Sequence, residues 1–140
     1  MRKWAASSAR RLDTCSPEVR AIHNASLQNA PYDYAITCGH RGEAEQEEAY
    51  LAGKSDLRYG ESDHNREVKG EPSSDATDMA VYFAGRYWYG DENNQARAMV
   101  RENQQFIKGV ALGMGHRVEV MPTLKNGTED LGHMSLVRDD

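Results

Sequence analysis

The sequence predicts a single α+β domain in which helices pack against a small, mainly antiparallel sheet. Three observations predict this class. The chain has 140 residues, which is the size of one ordinary domain. Some short segments alternate between apolar and polar residues, as strands do, whereas others repeat apolar residues at helical spacing. The two kinds of segment are mixed along the chain, and no repeat, linker or low-complexity tract separates them.

The first half of the chain contains two predicted helices and one predicted strand. Ser16 and Pro17 mark the start of the first helix, because serine caps helix N-termini and proline fits the first helical position. Residues 32–38 are aromatic and β-branched with alternating polarity, which predicts a strand. After a turn, a charged surface helix is predicted over residues 43–51, and Gly53 would end it.

The second half begins with a predicted loop. Residues 54–74 contain many glycine, serine and charged residues without usable periodicity, and loops of this length in small domains are usually functional. A strand is predicted over residues 76–83. A long amphipathic helix follows, in which apolar residues recur at helical spacing between positions 96 and 114. Two short strands, 117–121 and 133–137, complete the predicted sheet.

Charge and composition exclude several classes of function. The net charge is −5, which argues against a nucleic-acid-binding protein, because phosphate neutralisation needs an excess of Lys and Arg. No apolar run approaches the ~20 residues that span a bilayer. Arg10 and Arg11 interrupt what would be the apolar part of a secretory signal, so a cytoplasmic location is expected. Cys15 and Cys38 are then expected to be reduced thiols, and a metal ion would be held by His and carboxylates.

Three residues far apart in the sequence form a candidate metal site. His64 lies in the long loop, Asp78 in the strand after it, and His133 at the start of the last strand. Two imidazoles and one carboxylate can bind zinc and leave a fourth position open for water. Asp130, three residues before His133, could accept a proton from that water. Judged on the residues alone, a solvated His64 and an Asp78 paired with an arginine would explain the same pattern.

Several short motifs occur in a fixed order along the chain. They are Gly39-His40-Arg41, Gln46, Ser62-Asp63-His64, Ala76-Thr77-Asp78 and Asp130-Leu131-Gly132-His133. In this order the sequence resembles the zinc L-alanyl-D-glutamate peptidases that bacteriophages use as endolysins. Those enzymes are relatives of the VanY-type D-alanyl-D-alanine carboxypeptidases. The resemblance extends over residues 12–137, and it predicts that residues 1–140 form one VanY-like metallopeptidase domain.

The resemblance implies a role for each motif residue. Arg41 would hold a substrate carboxylate or the developing oxyanion, for which the fixed fork of a guanidinium is suited. Gln46 would support that geometry, and Ser62 would orient the loop that bears the first ligand. The Zn²⁺ ligands that the resemblance implies are His64, Asp78 and His133, and the implied general base is Asp130.

The sequence departs from the family pattern in the spacing of the ligands. His64 and Asp78 are 78 − 64 = 14 residues apart, so residues 66–71 are interpreted as a loop insertion. Glu71, seven residues before Asp78, is an alternative ligand, but choosing it would abandon the Ser-x-His motif. Glu129, next to the predicted base, is an alternative base if the turn is shifted by one residue.

The function that the resemblance implies is that of a phage endolysin, a monomeric enzyme that cleaves the L-Ala–D-Glu bond of bacterial peptidoglycan without binding nucleic acid or inserting into a membrane. The protein would stay in the host cytoplasm until the inner membrane is permeabilised, and would then act in the periplasm. One alternative is a D-Ala-D-Ala carboxypeptidase with the same metal site. The other is an inactive, peptidoglycan-binding virion component, because residues 118–123 replace a Trp- and Gly-rich stretch of the family.

Some conspicuous residues are assigned to the core rather than to the site. Trp88, between Tyr87 and Tyr89, is expected to close the core in preference to stacking on a sugar or peptide. Asn103, on the apolar face of the long helix, is expected to be a hydrogen-bonded core residue. Histidines outside the motifs are expected to be structural or solvated, namely His23, His40 and His116.

Overall fold

A computed structural model describes residues 1–139 of the chain and confirms the predicted α+β class. Strands and helices are numbered separately in chain order. The helices are α1 (Ala6–Leu12), α2 (Pro17–Ser26), α3 (Glu43–Leu51) and α4 (Asn94–Gly113). The strands are β1 (Asp33–Cys38), β2 (Glu67–Val68), β3 (Glu71–Pro72), β4 (Ala76–Phe83), β5 (Arg86–Trp88), β6 (Arg117–Val120) and β7 (His133–Val137).

The main sheet has the strand order β1-β4-β7-β6, and every neighbouring pair is antiparallel. The strand β5 pairs with the C-terminal part of β4, and β2 and β3 form a separate hairpin. Because side chains alternate across a strand, the sheet has two different faces. One face carries the apolar residues Ile36, Met79, Val81, Met134 and Leu136, all of which are buried.

The apolar face of the sheet packs into one core with the helices α2 and α4. Val19 and Ile22 of α2 and Val100 and Ile107 of α4 are almost completely buried in this core. Burial of each such side chain contributes roughly 1.5–3 kcal/mol to folding. The predicted start of α2 is confirmed, because the Ser16 hydroxyl accepts a hydrogen bond from the backbone N–H of Val19.

Buried polar residues of the core are paired, as predicted for Asn103. Its side-chain amide both donates to the carbonyl oxygen of Tyr32 and accepts from the backbone N–H of Tyr32, each at 2.9 Å. His23 is also buried, with Nδ1 at 2.9 Å from the Tyr34 hydroxyl and Nε2 at 2.8 Å from the Thr77 hydroxyl. Burial lowers the pKa of His23 to about 3. His23 is therefore a structural residue, as expected.

The structure contains short elements that the sequence pattern did not predict. They are the helix α1, the strand β5, a 3₁₀ turn at Asp63–Asn65 and the β2–β3 hairpin. The predicted insertion, residues 66–71, forms most of this hairpin. Its turn contains Lys69 and Gly70, both with positive φ (53° and 79°), as a tight two-residue hairpin turn requires.

Composition led to predictions about membrane-spanning segments and about the two cysteines. Among residues 1–139, no helix combines the length and apolar character needed to cross a bilayer. Cys15 and Cys38 are both free thiols, as expected. Burial raises the pKa of the Cys15 thiol to about 12, so this cysteine behaves as a small apolar core residue.

Candidate metal and catalytic site

The second face of the sheet brings the three predicted ligands together beside a surface cleft, and we call it the open face, although Ala76 and Ala80 on it are buried. Asp78 on β4 is paired with His133 on β7, and Cys38 on β1 is opposite Asp78 on its other side. His64 lies in the 3₁₀ turn next to this face. Its carbonyl oxygen accepts from the backbone N–H of Arg41 at 2.8 Å, which fixes the turn to the segment after β1.

Both histidines direct one ring nitrogen toward the Asp78 carboxylate. His133 Nδ1 lies 3.2 Å from Asp78 Oδ1, and His64 Nε2 lies 3.5 Å from Asp78 Oδ2. The centroids of the two imidazole rings are 5.1 Å apart. A carboxylate with an imidazole nitrogen on each of its oxygens is a compact donor set for a divalent cation.

The other nitrogen of His64 is held by the backbone. Nδ1 lies 2.7 Å from the carbonyl oxygen of Gly39, which can only accept, so Nδ1 carries the hydrogen when the ring is neutral. Nε2 then has a free lone pair, and it is buried without a hydrogen bond of acceptable geometry. Metal-bound histidines are usually fixed in this way, with one nitrogen donating to a carbonyl group and the other on the metal.

His133 shows the same division between its two nitrogens. Nε2 lies 2.7 Å from the hydroxyl of Ser135, while Nδ1 faces Asp78 Oδ1 at 3.2 Å and Asp130 Oδ2 at 3.8 Å. Ser135 is two residues further along β7 and therefore on the same face of the strand. This serine was not predicted from the sequence, although its i+2 spacing from His133 on a predicted strand places it on the same face.

Cys38 is a further possible metal ligand that sequence reasoning missed. Cys38, His64 and Asp78 each offer one ligand atom, and these atoms lie within 4.8 Å of one another. However, the Cys38 sulfur lies 3.9 Å from His64 Nδ1, the nitrogen that is bonded to the Gly39 carbonyl group. The pairing of Cys38 with Asp78 depends on a β-bulge in β1 between Ile36 and Cys38, which the sequence pattern does not show.

The charges of the site shift the pKa values of its members. Burial alone would raise the pKa of Asp78, but the hydrogen bond with His133 and the neighbouring imidazole of His64 hold it well below its usual value. Burial alone would lower the pKa of His64, but the Asp78 carboxylate and Cys38 raise it to about 10. The negative charge of Asp78, with an imidazole on each of its oxygens, thus makes this buried position favourable for a positive charge.

The two acidic residues before His133 have different surroundings. The Glu129 carboxylate accepts two hydrogen bonds from Arg101 on α4, at 2.6 and 3.3 Å. The Asp130 carboxylate instead lies beside His133, and burial raises its pKa. Asp130, and not Glu129, thus has the position and the environment that suit a general base at this site.

Arg41, Gln46 and Ser62 lie around the site in a connected set of hydrogen bonds. Arg41 donates to Asp78 Oδ2 at 3.1 Å and to Gln46 Oε1 at 3.4 Å, which leaves other guanidinium donors available. Gln46 is fully buried and donates to the Leu57 carbonyl oxygen at 2.6 Å. The Ser62 hydroxyl accepts from the backbone N–H of His64 at 3.2 Å.

Asn65 links these residues, and the sequence analysis assigned it no role. Its amide donates to the Arg41 carbonyl oxygen at 3.1 Å and to Gln46 Oε1 at 3.2 Å. Its carbonyl oxygen accepts from the backbone N–H groups of Gly60 and Ser62. This one buried side chain thus fixes the loop before His64 and the segment that contains Arg41.

Two cavities border the site. One cavity of about 390 Å³ is lined by His64 and His133, and a second of about 480 Å³ is lined by Asp78. The two cavities share the lining residues Arg41, Lys54, Leu124 and Asp130. The two cavities are therefore adjacent, and the candidate site lies between residues that they share.

Two residues considered in the sequence lie away from this cleft. Glu71, the alternative ligand, is exposed on β3 and lines a different cavity with Cys15 and Arg20. His40 has a partly buried side chain, with Nε2 3.2 Å from a carboxylate oxygen of Glu67 on β2. Neither residue is grouped with the three predicted ligands in the structure.

Comparison with known proteins identifies a solved structure of the same fold. The L-Ala D-Glu endopeptidase ChiX of Serratia marcescens matches with a TM-score of 0.72 and 21% sequence identity, over 96% of this chain and 89% of that chain. At this identity the match establishes a shared fold. No sequence model of a protein family matches the chain, and no curated protein has significant sequence similarity to it.

Proposed function

We propose that this protein is a zinc-dependent peptidoglycan endopeptidase that hydrolyses the bond between L-Ala and D-Glu of the stem peptide. The observation that carries the proposal is the convergence of His64, Asp78 and His133 on the open face of the sheet. These residues come from three distant parts of the chain. The fold shared with an L-Ala D-Glu endopeptidase and the order of the sequence motifs support the same activity.

The residues present fit a zinc ion. Two imidazole nitrogens and a carboxylate oxygen form a tridentate set with an open position, as in catalytic zinc sites. Nε2 of His64 is buried without a hydrogen-bond partner, which supports a metal ion as the partner of this nitrogen. We assign the third ligand to His133, because its far nitrogen is anchored by Ser135, whereas Cys38 lies on the anchored side of His64.

The chemistry divides between the ion and the side chains. When bound, zinc supplies Lewis acidity, which polarises the scissile carbonyl group and lowers the pKa of a water molecule. Asp130 accepts a proton from the attacking water and then delivers it to the leaving amine of D-Glu. Arg41 places its remaining N–H donors beside the site, where a substrate carboxylate or a developing oxyanion would lie.

The shape of the cleft favours an endopeptidase over a D-Ala-D-Ala carboxypeptidase. An endopeptidase must accommodate substrate residues on both sides of the scissile bond. A carboxypeptidase needs room for only one residue beyond that bond. Two cavities of about 390 and 480 Å³, both of which include Asp130 in their lining, offer room for such a substrate.

The biological role that we propose is lysis of a bacterial host by a phage, with this protein as the endolysin. The motif order, which resembles the phage branch of these peptidases, supports this role. In this proposal the protein accumulates in the host cytoplasm as a monomer and reaches peptidoglycan in the periplasm after the inner membrane is opened.

Digestion of purified peptidoglycan by the zinc-loaded protein tests the activity. Mass spectrometry of the products should find new N-terminal D-Glu, which identifies cleavage after L-Ala. Release of D-Ala would instead identify the carboxypeptidase, and binding to peptidoglycan without any new terminus would identify an inactive wall-binding protein. Zinc content, measured by atomic spectroscopy on the same sample, ensures that a negative result comes from loaded protein.

A further inference from the structure

Three exposed tyrosines form an aromatic surface at one end of the open face. Tyr82 on β4, Tyr87 on β5 and Tyr89 after β5 have exposed fractions of 42%, 42% and 53%. We call them the tyrosine surface. Trp88, which was predicted to close the core, is partly buried and packs against it. Its neighbours Tyr87 and Tyr89 do not. The three tyrosines are therefore available for a ligand.

The tyrosine surface and the candidate site share one face of β4 and one cavity. Asp78 and Tyr82 are four residues apart on β4, so their side chains point to the same face of the sheet. Tyr87 is the cross-strand partner of Tyr82. Tyr89 lines the 480 Å³ cavity together with Arg41 and Asp78. A ligand that fills this cavity can therefore contact both the candidate site and Tyr89.

The hairpin that carries the tyrosines is held in place by side-chain contacts. The indole N–H of Trp88 donates to the Phe83 carbonyl oxygen at 2.9 Å, and the Arg86 guanidinium lies 3.9 Å from the centroid of the Trp88 ring. The Glu92 carboxylate accepts from the backbone N–H of Tyr89 at 2.8 Å. An exposed aromatic surface on a fixed hairpin loses little entropy when a ligand binds to it.

The chemistry of tyrosine suits a sugar ring. The ring face packs against the apolar C–H face of a pyranose, while the hydroxyl group forms hydrogen bonds with hydroxyl or acetamido groups. The centroids of Tyr82 and Tyr87 are 5.0 Å apart at an angle of 58°, so the pair presents an angled aromatic surface.

The distance along β4 agrees with the covalent structure of peptidoglycan. In this polymer the L-Ala residue is joined through a lactyl group to an N-acetylated amino sugar. The L-Ala residue extends ~3.5 Å from the scissile bond, and the lactyl group adds a similar length, so together they span about 7 Å. Four residues of a strand span ~13 Å. The first sugar would thus begin about halfway between the site and Tyr82, and its neighbour would reach the Tyr82–Tyr87 pair.

We infer that the tyrosine surface binds the N-acetylated amino-sugar strand to which the cleaved stem peptide is attached. This inference rests on the proposed function, because it names the part of the same substrate that lies beyond the 480 Å³ cavity. The enzyme would then prefer a peptide attached to sugar over the free peptide.

Two synthetic substrates test the inference. One is the stem peptide with its L-Ala–D-Glu bond, and the other is the same peptide attached to its disaccharide. The wild-type enzyme should have a KM about tenfold lower for the sugar-linked substrate. The double variant Tyr82→Ala/Tyr87→Ala should lose most of this advantage and keep the wild-type kcat and KM for the free peptide.

Two control variants keep the comparison specific. Tyr82→Phe retains the ring and should retain the preference for the sugar-linked substrate. Tyr59→Ala removes a tyrosine of similar exposure (41%) outside the tyrosine surface and should also retain it. Equal KM values of the wild type for both substrates, or an equal loss on both substrates in the double variant, would overturn the inference.

A binding measurement separates failure of the inference from failure of the proposed function. The unlabelled disaccharide is titrated into the wild type and into the double variant, and chemical-shift changes are followed by NMR. Binding that the double variant loses supports the sugar site even if neither substrate is hydrolysed. Absence of binding by the wild type counts against the sugar site, whatever the enzyme hydrolyses.

Discussion

Individual residues of the site differ in what a substitution would remove, and Asp130 is the most informative of them. Its carboxylate lies 3.8 Å from His133 Nδ1 and lines both cavities, but it is not among the proposed ligands. Asp130→Asn should therefore keep bound zinc and the fold while kcat falls by roughly 10²- to 10⁴-fold. Steady-state hydrolysis of the stem peptide and atomic spectroscopy measure the two properties.

Glu129→Gln is the matched control for this prediction. The Glu129 carboxylate is paired with Arg101, so its loss should cost only about 1 kcal/mol of stability or less and leave kcat near the wild-type value. If Glu129→Gln abolished turnover while Asp130→Asn did not, the base would be Glu129 and the assignment would be wrong.

A second prediction at this scale distinguishes the third metal ligand. His133→Ala should weaken zinc binding by more than about 100-fold, because loss of a direct ligand exceeds the effect of losing a supporting residue. Cys38→Ser should leave zinc affinity nearly unchanged, because the sulfur lies on the Gly39 side of His64. Competition titration with a chelating dye measures both affinities. Loss of zinc in Cys38→Ser with retention in His133→Ala would make Cys38 the ligand.

At the scale of elements, the position of His133 depends on how β7 begins against β4. Gly132 has φ of +90°, and a Cβ atom there would lie 2.6 Å from the Met79 carbonyl oxygen. The Gly132 carbonyl oxygen also accepts from the Met79 backbone N–H, and its own N–H donates to Gln104 Oε1 at 3.0 Å. Gly132→Ala should therefore push β7 away from β4, at a cost of ~2–4 kcal/mol.

Gly127→Ala separates this clash from backbone strain. Gly127 has nearly the same φ (+86°), but nothing lies within 4 Å of an added Cβ atom. This control should lose only ~1–2 kcal/mol and keep the zinc affinity of the wild type. Urea unfolding and zinc titration compare the two variants. Equal losses of stability would show that the Met79 contact does not determine the position of β7.

The sequence predicted the long, strongly patterned elements best. The predicted ranges 43–51, 76–83 and 133–137 coincide with α3, β4 and β7, because each is bounded by a turn or loop rich in glycine and polar residues. The strand β5 has three residues and the strands of the β2–β3 hairpin have two, which is too short for a period to be detected. Such elements exist because a neighbouring strand supplies hydrogen-bond partners.

The same limit applies to the candidate site. His64, Asp78 and His133 were predicted as ligands because the order of their motifs resembles that of a family of zinc peptidases, and in the structure their side chains converge. Cys38 could not be identified, because its position opposite Asp78 depends on a bulge in β1. Asn65 could not be identified either, because its partners come from residues 41, 46, 60 and 62, which only the folded chain brings together.

At the scale of the whole molecule, the sheet separates stability from function. Its apolar face forms the core with α2 and α4, and its open face carries the site, the cleft and the tyrosine surface. The two faces meet in β4, where the buried Thr77 contacts His23 in the core and the next residue, Asp78, points into the site. A change in the ionisation of His23 should therefore affect the stability of the whole domain without adding a charge to the cleft.

This arrangement leads to a prediction on the pH dependence of folding. Burial lowers the pKa of His23 to about 3, whereas an unfolded histidine has a pKa of ~6.5. Between these values the unfolded state binds a proton that the folded state does not. The contribution of neutral His23 to stability is thus complete above pH 6.5 and is lost progressively as the pH falls toward 3. The corresponding slope is up to ~1.4 kcal/mol per pH unit.

The variant His23→Gln removes this titration while keeping an amide that can pair with the Tyr34 and Thr77 hydroxyls. It should be less stable than the wild type at pH 7.5 by ~1–3 kcal/mol, because the core loses a fitted ring. Its free energy of unfolding should nevertheless decrease less steeply between pH 6.5 and pH 4. Urea unfolding in the presence of a chelator at several pH values gives both slopes, with His116→Gln as the control for losing a histidine outside the core. Parallel curves for the wild type and His23→Gln would mean that His23 is protonated within the folded core, which its two hydroxyl partners and complete burial argue against.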